Sequence, residues 1–422
     1  MSPPSIRTSL PVELWEKIVD SVRPDAHLSL CRVSKLFHSL AVRSLYYDIS
    51  LDSPSATAAC CRTLANNLNT ASAVRNLTIT YTPSEPLKYH YFPSFYQLLG
   101  RALRCLTNVR DLRLSVLDPN YIQVLARCQF PSLHHFECYL TLTTPLVSFL
   151  NQHPSITYLQ IAPNEALSPA SWPPPTRPGV VLPKLEYFVG NSECISALAC
   201  DASLRSAFLF WDAVDATPQD AIMALERSSS DTINLLSCRR RGWNLDLIDL
   251  ISTWLPNIYV LSVTNLLVID AHPSQVRTKT PRISSAYLDA IRGLLSRFTD
   301  LHRLDLHCVD TFRMGEVECR MDDDFATVSG WGAACPTLSE CILSHSNGLK
   351  WIRVVDDVWV PDPCDHRGVR WLTGMLRSNR FPQWNRVLAV IQQRTQRIPL
   401  LGDVEECVEI LKSVVIGDQW EL

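Results

Sequence analysis

Residues 131–161 read PSLHHFECYLTLTTPLVSFLNQHPSITYLQI, and this stretch states one short phrase twice. An apolar residue is followed by two variable ones, a second apolar residue, one variable, and a third that is apolar or small. Leu133-Phe136-Cys138 is the first instance and Ile156-Leu159-Ile161, 23 residues on, the second. Pro131 and Pro154 each stand two residues ahead, where proline ends a preceding helix and opens a strand.

Working outward, the phrase returns upstream as Val74-Leu77-Ile79 and Val109-Leu112-Leu114. Downstream it continues as Leu185-Phe188-Gly190, Leu204-Ala207-Leu209, Ile233-Leu236-Cys238, Ile258-Leu261-Val263, Leu301-Leu304-Leu306 and Leu338-Cys341-Leu343, with Pro183, Pro256 and Pro336 in the same leading position. Amphipathic helical stretches precede several of these, for example Phe95, Leu98, Leu99, Ala102, Leu103 and Leu106, or Leu288, Ile291, Leu294, Leu295 and Phe298. The unit is helix, turn, strand, with a period of about 23 to 29 residues in mid-chain and about 35 to 43 at both ends. No such unit buries its own apolar face, so neighbours must stack into a solenoid, parallel strands inside and helices outside. A general α/β domain with parallel strands would give similar segments.

Over roughly residues 70 to 345 this pattern resembles leucine-rich repeats. The family's asparagine after the third leucine is absent: Leu114 leads to Ser115-Val116-Leu117 and Leu306 to His307-Cys308-Val309. Strand alternation turns the variable residues of each phrase away from the core. The candidate substrate-binding residues are therefore His135, Tyr158, Gln160, Tyr187, Phe208, Arg303 and Asp305, with Glu137, Tyr139, Phe210 and His307 beside them. Aromatics with a few charges suit a protein interface. The alternative for Phe208 and Phe210 is cover by a loop or by the C-terminal segment.

The first fifty residues are different in kind. Pro11 is pre-set for a first helical turn, Glu13 suits the positive end of the dipole, and Leu14, Ile18 and Val22 recur every four residues with Trp15 and Val19 beside them. Pro24 stops that helix. Asp25 is the expected N-cap of a second helix, whose Leu30, Val33, Phe37 and Leu40 keep the same period. So short a module carries more apolar surface than it can hide within itself.

Leu10, Pro11, Glu13, Leu14, Ile18, Val33, Ser34, Lys35 and Phe37 resemble, in order and spacing, the F-box, a three-helix motif. What the resemblance implies is docking onto a Skp-type adaptor and, through it, a cullin, with Leu10, Pro11, Leu14, Ile18, Leu28, Val33, Ser34 and Phe37 as adaptor-binding residues. Ala26-His27 stands where the family often has Asp-Leu, leaving Leu28 or Leu30 to supply the apolar contact. The alternative is a helical hairpin whose stripe packs on the remaining chain.

Composition narrows the function. A chain of 422 residues with 46% hydrophobic and 19% charged residues is that of a folded protein. A net charge of -3 supplies no field for nucleic acid or anionic membranes. Neither a signal peptide nor a membrane-length apolar run is read, so a cytoplasmic or nuclear location is expected. The 15 cysteines are spread along the chain, several where a repeat wants a small apolar residue (Cys138, Cys238, Cys341), so reduced thiols are expected.

Catalytic chemistry is not legible. Gly330-Trp331-Gly332 lacks the third glycine of a dinucleotide fingerprint, and no P-loop, nucleophile elbow or zinc pair occurs. Cys364 with His366, Asp322-Asp323-Asp324, and Arg239-Arg240-Arg241 with Trp243 are read as loop or rim residues rather than as metal or nucleic-acid sites. Segments 172–178, 272–282 and 312–325 read as surface loops, and the tryptophan-rich end (Trp351, Trp359, Trp371, Trp384) with a last helix carrying Val404, Cys407, Val408, Leu411 and Val415 as a cap. The expectation is an α/β chain of an F-box (1–51), a leucine-rich-repeat-like solenoid (52–350) and a C-terminal capping region (351–422). It is expected to be no enzyme and to need no cofactor, serving as the substrate-recognition subunit of an SCF-type (Skp-cullin-F-box) ubiquitin ligase, with an F-box scaffold lacking a degradation role, or a soluble enzyme with a noncanonical site, as the alternatives.

Overall fold

A computed structural model describes residues 10–81, 91–161, 179–198, 202–211, 217–229, 233–267, 285–310, 321–343, 349–355, 358–362, 368, 371–372 and 374–375. The chain forms two compact units, one of Met1–Gly190 with Ala197–Ser203 and the other of Asn191–Ser196 with Leu204–Leu422.

The first unit opens with three helices, α1 (Val12–Ser21), α2 (Pro24–Leu30) and α3 (Lys35–Tyr47). Asp25, expected as an N-cap, lies inside α2, because Pro24 itself takes a first-turn position and Arg23 becomes the cap. The single second helix expected to carry Leu30 through Leu40 is two helices. Ser34 breaks it, its Oγ accepting from the Phe37 amide at 3.2 Å as the cap of α3, and Val33 falls in the turn.

Helix α3 runs directly into β1 (Asp48–Leu51), after which come α4 (Pro54–Asn66), α5 (Leu68–Ala73), β2 (Asn76–Thr80), α6 (Pro93–Arg104), β3 (Asp111–Ser115), α7 (Asn120–Leu125), β4 (His135–Cys138), α8 (Thr144–Asn151), β5 (Tyr158–Ile161) and β6 (Tyr187–Asn191). Strands β1 to β6 pair in parallel and in chain order. The boundary expected at residue 51 thus falls at the end of a sheet strand: Ile49 and Leu51 are buried beside Leu77 and Ile79, so the helical opening is joined to the sheet without a linker.

The second unit continues with α9 (Ser192–Ile195), β7 (Ser206–Phe210), α10 (Gln219–Ser229), β8 (Leu235–Arg241), α11 (Leu245–Trp254), β9 (Val260–Leu267), α12 (Ser285–Leu295), β10 (Arg303–Asp310), α13 (Met321–Ala334), β11 (Glu340–Leu343), β12 (Lys350–Val355) and β13 (Val358–Pro361). Strands β7 to β11 are parallel, again in chain order. Strands β12 and β13 reverse direction and pair antiparallel, which the tryptophan-rich reading did not foresee. Residues 321–325, expected in a loop, are the first turn of α13, where three aspartates face the positive end of the helix dipole. Segments 172–178, 272–282 and 312–320 lie outside the described residues, as do Trp384 and the expected last helix.

All ten repeat phrases are strands, and their apolar positions stack in register. In the first unit Leu77, Leu112, Phe136, Leu159 and Phe188 form one buried row. Gly190 ends the parallel row of Ile79, Leu114, Cys138 and Ile161 because there is no room for more: a Cβ would lie 2.7 Å from the Ile161 carbonyl oxygen and 2.8 Å from the Phe188 ring. Cysteine fills such places as a small apolar residue. The Cys138 thiol is pushed up to about 12 by burial, and Cys238 and Cys341 are pushed up for the same reason, so these thiols are inert. The eleven described cysteines are free.

After β8, an asparagine satisfies turning backbone groups in another form. Asn244, held at φ 52° ahead of α11, donates to the carbonyls of Arg240 and Gly242 at 3.0 Å and to Asn265 Oδ1 at 2.8 Å. Asn265, fully buried on β9, donates onward to the Tyr287 hydroxyl at 3.3 Å. This chain satisfies the backbone where β8 turns into α11. Among the described residues, no helix is long and apolar enough to cross a membrane.

His153 closes α8 and shows how the turns are stitched. Its Nδ1–H donates to the Phe149 carbonyl at 2.6 Å while Nε2 accepts the Phe130 amide at 2.9 Å, so the neutral ring is fully used. Burial holds its pKa below the usual 6.5. Protonation therefore favours the unfolded chain, and the stability this ring contributes is complete above pH 6.5 and is lost as pH falls through the depressed value. Thermal melts of the wild type and His153→Gln from pH 7.5 downward should show a lower Tm for the variant at neutral pH and a shallower acid dependence; parallel curves would refute this role.

Candidate functional site

Helix α1 carries two apolar rows, and the module's core uses only one. Trp15 and Val19, one turn apart, face inward: Val19 is buried with Leu40 and Ala41, and Trp15, Leu30, Cys31 and Phe37 pack half-buried around them. The Trp15 and Phe37 rings meet edge to face at 5.1 Å. His27, which stands where an apolar contact was expected, is buried and donates from Nε2 to the Val19 carbonyl at 2.9 Å, tying α2 to α1. An exposed Arg43–Glu16 ion pair joins α3 to α1. These two residues also border a cleft of about 700 Å³ that extends to Tyr47, Asn69 and Arg75.

The second row of α1, Leu14 and Ile18, looks outward, each 43% exposed. Leu10 and Pro11 ahead of it are exposed, as are Leu28 and Val33, each at 64%. Val12 and Leu36, which the motif does not name, are exposed as well. Two of the motif residues serve the module itself: Ser34 caps α3 and Phe37 packs against Trp15.

On the open face of the first unit, opposite the row that packs on α8, the phrase's variable residues lie in register. Phe136 meets Phe149 of α8 at 5.1 Å, so His135 and Glu137 point to the other side. His135, Tyr158 and Tyr187 occupy one register position on β4, β5 and β6. The His135 and Tyr158 rings stack at 4.0 Å and 4°, and Tyr158 and Tyr187 at 6.5 Å and 29°. Beside them His135 Nε2 donates to Glu137 Oε1 at 2.6 Å, Arg113 lies 3.6 Å from the same oxygen, and the Tyr158 hydroxyl donates to Gln160 Oε1 at 3.1 Å. Burial, with the Glu137 carboxylate, raises the Tyr158 pKa, so its hydroxyl stays a donor. Tyr187, 42% exposed, has the most open ring of the three.

On the second unit's open face, Phe208 is 37% exposed and Phe210 half-buried. Arg303 and Asp305 form a two-pronged pair, Nε to Oδ1 at 2.9 Å and Nη2 to Oδ2 at 2.9 Å. Asp305 is only 7% exposed, and its hydrogen bond raises the Arg303 pKa. Glu340 accepts from Lys350 Nζ at 2.8 Å. Sequence reasoning placed Arg303 and Asp305 on this face but not in each other's grip, because a side-chain pair two residues apart on a strand leaves no periodic signal.

The other clusters resolve as structure. Asp324 is buried in α13 and Trp371 Nε1 donates to Asp322 Oδ1 at 2.9 Å. Trp331 is buried in the same helix and Gly332 packs under Trp359, so neither glycine forms a loop. Arg240 points inward onto Asp246, its Nη1 2.7 Å from Oδ2, leaving Arg239 and Arg241 to the surface. Among the described residues no group of three or more His, Cys, Asp or Glu side chains could hold a metal ion, and Cys364 and His366 lie outside them.

No family model and no curated protein sequence matches this chain. Solved structures are similar to it, among them two bacterial proteins. The leucine-rich repeat-containing protein LegL7 from Legionella pneumophila is 15% identical over 73% of this chain and 88% of its own, at a TM-score of 0.38. An internalin (inlF) from Listeria monocytogenes is 12% identical over 68% of this chain and 89% of its own, at a TM-score of 0.26.

The Arg303–Asp305 geometry makes a stability prediction. Arg303→Ala leaves a buried carboxylate without its two-pronged donor and should cost about 1–3 kcal/mol in denaturant unfolding. Arg303→Ala with Asp305→Ala should recover part of that loss; an Arg303→Ala variant as stable as wild type would show that the pair is not structural.

Proposed function

We propose that the chain is the substrate-recognition subunit of an SCF-type ubiquitin ligase, docking a Skp-type adaptor through residues 10–47 and a protein substrate through the open strand faces. The observation that carries the reading is the second apolar row of α1. Val19, Trp15 and their neighbours complete the module's core, yet Leu10, Leu14, Ile18, Leu28 and Val33 remain in water. Surplus apolar surface of this kind marks an interaction site, and these are the positions at which the motif resemblance puts adaptor contacts. Phe37 and Ser34 then act indirectly, by fixing α3 against α1.

The short connection from α3 to β1 would hold the adaptor-docking helices firmly on the repeat strands, as presentation of a bound substrate requires. On this reading the chain binds rather than catalyses, needs no cofactor, and works in the cytosol or nucleus, where the adaptor and its cullin reside. His135, Tyr158, Gln160 and Tyr187 in one unit, and Phe208 in the other, are the proposed substrate contacts. Arg303 and Asp305 contribute shape and charge to that second face through their mutual pair.

The test is affinity purification followed by binding measurements. Recovery of the adaptor with a cullin supports ubiquitin transfer, adaptor alone supports a scaffold without a degradation role, and neither overturns the docking reading. Leu14→Ala with Ile18→Ala should weaken the adaptor by about a hundredfold, each truncation removing part of the roughly 1.5–3 kcal/mol that a fully buried leucine or isoleucine is worth. Because both side chains face out, the melting temperature should hardly move. An unchanged dissociation constant would sink the assignment.

A further inference from the structure

We infer that the open face of the second unit takes an extended acidic peptide, its alternate carboxylates against Arg239 and Arg241 and an apolar side chain against Phe208. This deepens the substrate-binding reading by naming the partner's chemistry, and rests on that reading only for the use of this face. Three consecutive arginines end β8, and strand alternation splits them. Arg240 turns inward with its side chain 11% exposed and is neutralised by Asp246. Arg239 and Arg241 face out, both exposed, and neither makes an ion pair among the described residues. Among the described residues the carboxylates on this face are committed, Asp305 to Arg303 and Glu340 to Lys350, and neither outward guanidinium has a carboxylate partner.

The outward side chains of this face line up across the strands. Phe208, Ser237, Ser262 and Asp305 share one register position across β7 to β10, and Phe210, Arg239, Thr264 and His307 share the next on that face. Phe208 and Phe210 therefore line the β7 side, Ser237, Ser262 and Thr264 are small, and the exposed Arg239 stands among them on β8. Three strand spacings, about 14 Å, separate β7 from β10, room for one extended chain along the strands. Arg239 and Arg241 stand two residues apart on one strand, about 6.6 Å, and an extended peptide repeats its same-face side chains at that same interval. Glutamate or aspartate at every second position matches the arginines one for one. Nucleic acid fits less well, since a chain of net charge -3 offering two unpaired guanidiniums supplies few of the several phosphate contacts that such binding needs.

The test uses the full chain and a fluorescein-labelled peptide in which glutamate alternates with serine and leucine closes the sequence, followed by anisotropy. Comparators are the same composition with the glutamates in one block, the lysine counterpart, and a single-stranded thymidine oligonucleotide. The alternating peptide should bind best, weaken as salt rises, and lose about tenfold or more in affinity with Arg239→Glu and Arg241→Glu combined. Phe208→Ala should weaken it further, while the melting curve of the arginine variant stays unchanged because both arginines are exposed. Absent binding, equal binding of the block or lysine peptide, or indifference to the arginine reversal overturns the inference, and tighter binding of the oligonucleotide overturns it in favour of nucleic acid. Adaptor recovery measured on the same variants keeps the two readings apart: it depends on Leu14 and Ile18, so its presence beside absent peptide binding sinks the peptide site alone, and its absence beside peptide binding sinks adaptor docking alone.

Discussion

One backbone hydrogen bond, repeated, sets everything else in register. At the residue before each strand the amide donates to the carbonyl of the corresponding residue one repeat earlier: Arg75 to Tyr47, Arg110 to Arg75, His134 to Arg110, Thr157 to His134 and Glu186 to Thr157. In the second unit Asn234, Tyr259, His302 and Ser339 repeat the chain from Arg205. A slip of one residue at any of these points would turn an apolar row to water and a polar row into the core. Because the slip is forbidden, side chains far apart in sequence arrive side by side, and the stacked rings of His135, Tyr158 and Tyr187 follow.

The same ladder explains why β1 belongs with the strands although its sequence sits at the end of a helical module. Arg75 needs the Tyr47 carbonyl as its acceptor, and Ile49 and Leu51 need cover that only β2 and the helices beside it provide. The opening helices therefore form one continuous object with the first repeats. Their outward apolar row is left uncovered because the core beneath is complete with Val19, Leu40 and Ala41.

Polar groups are placed with similar economy. Two buried ones are satisfied locally, His153 by Phe149 and Phe130 and Asn244 by two carbonyls and Asn265. Outward charges mostly pair along or across strands, Arg303 with Asp305 and Lys350 with Glu340. Among the described residues Arg239 and Arg241 make no ion pair, which sets their face apart.

The ten strands of the repeat phrase were legible in the sequence, because a strand buried on one face must alternate and a stacked unit must recur. The pairing of those strands in chain order follows from the same recurrence. The period of α1 did not make its covered row legible: it shows apolar rows without saying which is covered, the motif resemblance put adaptor contacts at Leu14 and Ile18, and packing gave the core to Trp15 and Val19. Nor was the break at Ser34 legible, where a hydroxyl cap outweighed the continuing apolar period from Leu30 to Leu40. Alternation told which variable residues leave the core, yet only tertiary structure decided what they meet. Asp305 finds Arg303, His135 finds Tyr158, and Arg239 finds no ion-pair partner among the described residues, since contacts between side chains depend on distances that a one-dimensional pattern does not contain.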